Sequence, residues 1–270
     1  MKRRQLMSYM AAGCLGSLGL AQLAGPRVAQ AQTASALTVE WLGHTCFRFS
    51  GGGLQVLVNP FQPLGCTAGY EIPAVAADLV LISSRQLDEG AIDVVPGNPQ
   101  VFFEAGAYQL EGGKQIQGIQ TFHDRIEGRR FGKNVVWRWD QAGINILHLG
   151  GIADEITTRY KILMGSPDLL LIPVGGEPPP PSTSKYSRQW PEVYTPAEAK
   201  QAIEVLQPKL VIPTHYRVAG SAPSCQLQDL SAFLTDVQGD PVRRATSDTI
   251  TLTRGNLPTA GPVIQLFATS

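Results

Sequence analysis

The residues able to do chemistry are few and widely spaced. The chain has four histidines: His44, His123, His148 and His215. His123 and His215 fall in loops that follow strand-like runs, where metal ligands commonly originate. Two adjacent acids, Asp88 and Glu89, end the stretch Ser83-Ser84-Arg85-Gln86-Leu87-Asp88-Glu89. Imidazole and carboxylate groups together suit a divalent cation. Arg85 lies beside both acids and offers a different outcome, an ion-paired loop with no metal. Ser84 carries a hydroxyl, but no G-x-S-x-G elbow surrounds it. Cys46, Cys66 and Cys225 lack any C-x-x-C zinc spacing.

These residues need strands to hold them. Residues 37–50 alternate and are rich in strand formers, Gly51-Gly52-Gly53 reads as a turn, and Leu54–Val58 returns, so the segment predicts a β-hairpin. Ala77–Ser83 is a short apolar run typical of a buried strand. Further strands are predicted at 100–104, 115–121, 134–140, 143–149, 169–174 and 210–213. A helix is predicted over 196–206, with Thr195 as N-cap, Pro196 in the first turn and Glu198 completing a capping box. A second is predicted over Gln226–Val237. Many strands with few helices imply two sheets enclosed by helices in one domain. The segment 176–193 is Pro-rich and polar, and it reads either as a solvated loop or as a docking loop with Tyr186, Arg188 and Trp190 as anchors.

The start of the chain has another character. Lys2, Arg3 and Arg4 precede an apolar, small-residue run, and Ala29-Gln30-Ala31 forms a cleavage pattern. This is the layout of a secretory signal peptide over 1–31, leaving a domain over 32–270. The Arg3-Arg4 pair suits twin-arginine export. The apolar run is short for a membrane span, which needs about 20 apolar residues. Without the four basic residues of 1–31 the chain has 18 basic and 22 acidic residues, a net charge of −4. That balance argues against a nucleic-acid partner. Export to a periplasm or equivalent lumen would permit a disulfide, Cys46–Cys66 being one pairing, while buried free thiols are equally consistent.

Several stretches in order resemble the metallo-β-lactamase superfamily, in particular its branch of small metal-dependent hydrolases. Val39-Glu40-Trp41-Leu42-Gly43-His44-Thr45-Cys46-Phe47 resembles that branch's opening strand. Val58-Asn59-Pro60-Phe61 resembles its D-P turn. Ala77–Gly90, Thr121–Asp124, Ile146–Gly151, Leu171–Gly176 and Val211–Tyr216 match later segments. The resemblance implies a four-layer αββα sandwich, α/β (α+β) in class, with a two-metal site at one sheet edge. In the superfamily the metal loop reads H-x-H-x-D-H. Here those positions are Ser84, Arg85, Gln86, Leu87, Asp88 and Glu89. The resemblance places the first metal at Ser84, Gln86 and His123 and the second at Asp88, Glu89 and His215. Gly151 stands where the superfamily has a bridging Asp. His44 lies near the site and is not a ligand there.

Serine and glutamine oxygens are poor zinc donors, so the first position is expected to be empty. Asp88, Glu89 and His215 could hold one divalent cation such as zinc, or Arg85 could fill the vacated position and no cofactor bind. A Ser84 hydroxyl close to His123 is a third arrangement. The binding cleft is expected to comprise Ser84, Arg85, Gln86, Asp88, Glu89, His123, Gly151, His215 and Tyr216, with Asp88 and His215 as the catalytic candidates. The expectation is an exported, non-catalytic relative that binds a small molecule or protein partner. The alternative is a one-metal hydrolase of an ester, lactone or phosphoester.

Overall fold

The computed structural model describes residues 36–184, 187 and 191–268. The expected signal peptide and the anchors Tyr186, Arg188 and Trp190 lie outside the described residues. In chain order the strands are β1 (Leu37–Gly43), β2 (Cys46–Gly51), β3 (Leu54–Val58), β4 (Leu79–Leu81), β5 (Gln100–Phe102), β6 (Gly106–Gln109), β7 (Gln115–Phe122), β8 (Lys133–Gln141), β9 (Ile144–His148), β10 (Leu169–Pro173), β11 (Leu210–Thr214), β12 (Val242–Arg244), β13 (Thr249–Leu252) and β14 (Val263–Leu266). The α-helices are α1 (Thr158–Met164), α2 (Pro196–Leu206) and α3 (Leu230–Asp236).

Two mixed sheets form the sandwich. The first runs β13-β1-β2-β3-β4-β5 and the second β12-β14-β11-β10-β9-β8-β7-β6. Their inner faces share the main core. Val39, Phe47, Phe49, Val56, Val58, Leu79 and Leu81 of the first sheet join Trp137, Trp139, Ile144 and Ile146 of the second. Leu57 and Val80 point the other way, into a smaller cluster with Cys46, Phe61, Ile82 and Val95. Burial on both faces explains the unbroken apolar runs Val56–Val58 of β3 and Leu79–Leu81 of β4. Helix α2 covers the second sheet, and its Thr195–Glu198 capping box forms as its sequence implies. Over the first sheet the outer layer is mainly irregular chain with short 3-10 turns.

The alternation over 37–50 predicts one strand, but the structure breaks it into β1 and β2 at Gly43-His44-Thr45. Gly43 (φ 114°) and His44 (φ 52°) turn the chain back, and a Cβ on Gly43 would meet the Tyr70 ring at 2.5 Å. No alternation pattern reveals such a turn. The helix predicted over 226–237 shortens to α3. Helix α1 and strands β6, β12, β13 and β14 lack a signal because each has seven residues or fewer and several are solvent-facing.

Two polar clamps hold the sheets in register. Gln141, at the end of β8, places its amide nitrogen 3.2, 3.1 and 2.8 Å from the carbonyls of Phe49, Gly51 and Leu54 on the β2–β3 hairpin. Its Oε1 accepts from Trp139 Nε1 at 3.0 Å. His148, at the end of β9, lies 3.0 Å through Nε2 from the Thr45 carbonyl, and its Nδ1 accepts from the Gly150 amide at 3.1 Å. That second bond requires a neutral ring with the proton on Nε2.

Cysteine pairing differs from the Cys46–Cys66 bridge considered above. Cys66 is joined to Cys225, with a Cα–Cα separation of 4.8 Å. Cys46 is a buried free thiol because its position on β2 turns it into the apolar cluster. The bridge ties the turn at 65–67 to the loop that follows β11. Ala222 N donates to Gly65 O at 2.9 Å beside it.

Two outcomes follow. The bridge spans a sequence separation of 159, so the Cys66→Ser/Cys225→Ser variant should lose about 3–5 kcal/mol in urea unfolding. Peptide mapping without reductant should recover residues 66 and 225 in one linked fragment; finding Cys46 there instead would refute the pairing. Burial drives the His148 imidazole down to about 4 from its ordinary 6.5. Below pH 6.5 the unfolded chain gains a proton that the fold refuses. This contribution is therefore complete above pH 6.5 and is lost as pH falls towards 4, by up to about 3 kcal/mol. His148→Gln should flatten the acid limb of a pH–stability curve.

Candidate metal centre

Loops leaving the strand ends build the site. His44 comes from the β1–β2 turn. Ser83–Gly90 follows β4. His123 follows β7, Gly150–Gly151 follows β9, and His215 follows β11. Ligand crevices form at such strand ends in α/β sheets. Three non-glycine residues around it, His44, Asn59 and His215, hold φ values of 52°, 52° and 56°. Left-handed backbone costs about 1–3 kcal/mol per residue and gathers at functional sites. Asn59 is a brace: its Oδ1 accepts from Ser83 N at 2.8 Å, and its Nδ2 donates to Glu89 Oε1 at 3.5 Å.

The centre has two halves. In one, His123 Nε2 donates to Glu89 Oε2 at 2.9 Å and His123 Nδ1 donates to Glu192 O at 3.1 Å. Both groups are buried, at 1 % and 0 % side-chain exposure. Burial by itself would lower the imidazole, yet the Glu89 charge overrides it and raises His123 to about 9. Burial by itself would likewise raise Glu89, and the His123 charge holds it well below the usual carboxylate range. The two form an imidazolium–carboxylate pair. Gly151 makes room for it: a Cβ there would lie 2.0 Å from His123 Cε1. The ring therefore occupies the space that a side chain at 151 would need.

In the other half, His44, Asp88 and His215 each bring one ligand atom, all within 4.8 Å of one another. His44 Nε2 is 4.0 Å from Asp88 Oδ2. The His44 and His215 rings lie 4.0 Å apart at their centroids. His44 is fully buried, and neither of its ring nitrogens has a hydrogen-bond partner; His215 Nδ1 also lacks one. Glu89 Oε1 stands 3.6 Å from His215 Nδ1, too far for a hydrogen bond. Burial and then the neighbouring His215 hold His44 well below the ordinary imidazole value, so it is neutral and able to ligate. Burial and then Glu89 raise Asp88 to about 6.

The remaining cleft residues spread outwards. Arg85 is exposed and stacks over Phe103 at 4.6 Å, away from the histidines. Gln86 Nε2 donates to Phe131 O at 3.2 Å, and Ser84 Oγ accepts from Gln86 N at 3.4 Å. No hydrogen bond joins Ser84 to His123 among the described residues. Tyr216 is buried, with its ring 6.1 Å from that of Trp41. Sequence reasoning passed over His44 as a ligand because its position in the related hydrolases is not one. Its lack of partners is visible only in three dimensions.

The donor set decides which metals fit. Two bridged cations do not fit: Ser84 and Gln86 are turned to other partners, His123 is spent on Glu89, and no carboxylate exists at 151. One divalent cation fits, within reach of the His44 and His215 imidazoles and the Asp88 carboxylate. Coordination would satisfy one of the two buried ring nitrogens of His44, and leaving such a group unsatisfied costs about 1–3 kcal/mol.

Comparison with known proteins accounts for this scaffold. Residues 38–215 match the model of the beta-lactamase superfamily domain. A UPF0173 metal-dependent hydrolase of Thermococcus onnurineus is 24% identical over 203 residues, covering 66% of this chain and 84% of that protein. One of Nitratidesulfovibrio vulgaris is 25% identical over 242 residues, covering 72% and 92%. A crystal structure from Thermotoga maritima, provisionally named a Zn-dependent hydrolase of the metallo-beta-lactamase superfamily, is 27% identical with a TM-score of 0.63, covering 86% of this chain and 98% of that one. The metallo hydrolase Igni18 of Ignicoccus hospitalis shares the fold at 16% identity and a TM-score of 0.55, covering 80% and 98%. Built on two mixed sheets with its polar centre at their loop edge, the chain belongs to the beta-lactamase superfamily, with the metallo-β-lactamase fold.

Proposed function

We propose that the protein is a one-cation hydrolase acting on an ester, lactone or phosphoester. The observation that carries this reading is the convergence of His44, Asp88 and His215, with the buried His44 nitrogens lacking any other partner. The relatives named metal-dependent hydrolases support it. His44, Asp88 and His215 would hold the cation, which polarises the scissile group and lowers the pKa of water. Glu89 is kept ionised by His123, so its Oε1 would accept a hydrogen bond from the attacking water and orient it. Asn59 Nδ2 and His123 Nε2 fix the Glu89 carboxylate from two sides.

A second reading, a non-catalytic relative that binds a ligand or partner, is favoured by the other half of the site. There His123 is engaged by Glu89 on one side and by the Glu192 carbonyl on the other, which leaves neither ring nitrogen for a cation. Export is also part of the proposal. The Cys66–Cys225 disulfide supports an oxidising, extracytoplasmic compartment.

Protein purified without chelators should contain about one divalent cation per chain by elemental analysis. His44→Ala and His215→Ala should lose it, and Ser84→Ala should keep it. An ester and phosphoester panel should show turnover that EDTA and His215→Ala both abolish. Metal-free wild type would defeat the one-cation reading, and bound metal without turnover would favour the second. Gly151→Ala should drive the His123 ring off Glu89 and destabilise the fold by about 1–3 kcal/mol, read in thermal melts. Equal stability would show that the ring has room to move.

A further inference from the structure

The loop after β4 has two faces. Asp88 and Glu89 belong to the metal centre. Ser83, Ser84, Arg85 and Gln86, earlier in the same loop, line a cavity of about 640 Å3 with Phe103 and Lys133. None of His44, Asp88, Glu89, His123 and His215 lines it.

Its lining has a definite chemistry. Phe103 is a large apolar side chain left 40% exposed. The Arg85 guanidinium lies over that ring, 4.6 Å from its centre. Stacking fixes a planar, weakly hydrated fork that still has its N–H edges free. Lys133 is exposed and makes no ion pair among the described residues. Glu104 is the one acid among the described lining residues, so two cations face one anion. At the floor, Ser83 is 1% exposed. Its backbone N–H and C=O are both bonded, to Asn59 Oδ1 at 2.8 Å and from Val135 N at 2.8 Å, yet its Oγ has no partner. That hydroxyl is shut off from solvent and packs against Gly150, so the accessible recognition groups of the cavity are those of Arg85, Lys133 and Phe103. Gln86 Nε2 holds Phe131 O at 3.2 Å and so ties the loop to the opposite wall.

We propose that this cavity binds a small aromatic carboxylate, its ring against Phe103 and Phe131 and its carboxylate shared by Arg85 and Lys133. A guanidinium pairs a carboxylate in two-point fashion, which a neutral amide cannot copy. Because one loop carries both this wall and Asp88, the cavity is the recognition pocket for the substrate of the hydrolase proposed above, and its catalytic meaning, though not its binding, rests on that reading. The substrate class is then an ester or lactone bearing an anionic aromatic portion.

The test is a titration of the purified full chain with 1-naphthoate and its neutral counterpart 1-naphthamide, followed by NMR, with and without EDTA. Naphthoate should saturate a single site and bind about tenfold more tightly than naphthamide. Arg85→Met and Lys133→Met should each weaken naphthoate about tenfold while leaving naphthamide unchanged. Both residues are exposed, so the variants should fold, and far-UV circular dichroism checks this. Phe103→Ala should weaken both ligands. Equal affinity for the acid and the amide would overturn the proposal, as would indifference of naphthoate to both charge substitutions. Loss of naphthoate binding with EDTA or in His215→Ala would place the carboxylate on the cation and overturn it too. Binding that survives EDTA in a protein without turnover would uphold the pocket while the hydrolase reading fell.

Discussion

A carboxylate with none of its surface in water must be neutralised or protonated, and Glu89 is neutralised by His123 at 2.9 Å. Removing one member of such a pair costs about 3–5 kcal/mol because the other is left charged and unpaired. The rest of the centre is arranged around this contact. Gly151 is bare because the His123 ring needs its space. Asn59 bends into left-handed backbone, and its side-chain amide accepts from Ser83 N through the oxygen and donates to Glu89 through the nitrogen. The Glu192 carbonyl draws the end of the long Pro-rich segment onto His123. The bare Gly151 and the carboxylate at 89 thus serve one contact, since the first leaves room for the ring that the second pairs with.

The neighbouring half has the opposite character. His44, Asp88 and His215 are close, yet no direct hydrogen bond joins them. The backbone at His44 and His215 is held in an unfavourable region by strands packed on both sides. Such a polar group without partners persists only where the surrounding fold fixes it or a ligand satisfies it. The contrast separates a cluster able to ligate a cation, His44, Asp88 and His215, from the ion pair of Glu89 and His123.

Much of the scaffold was legible because burial writes itself into long periodic runs. β7, β8, β9, β10 and β11 are strands of five to nine residues with apolar faces, and each shows in its sequence. Helix α2 announces itself through Thr195, Pro196 and Glu198. The short C-terminal strands do not, since β12 is exposed along its whole length and is ordered only by pairing with β14. The turn at His44 was hidden for a related reason. It depends on the Tyr70 ring packed against Gly43, a contact made 27 positions further along the chain. Asp88, Glu89, His123 and His215 could be picked out as site residues from their types and order. The roles of Arg85 and Glu89 could not, because adjacency in sequence does not tell which way each side chain leaves a loop.

Sequence alone determined the superfamily, the longer strands, and the residue types at the loop positions, Ser84 and Gln86 without ring nitrogens and Gly151 without a carboxylate. These follow from residue identity at positions whose spacing is set by the scaffold. Tertiary structure alone decided that His44 joins Asp88 and His215, that Glu89 pairs with His123, that Arg85 lies on Phe103, and that Cys66 bonds Cys225 rather than Cys46. Each of these is a contact between distant segments or a choice of side-chain direction. Burial energy and charge neutralisation settle them only after the sheets have packed.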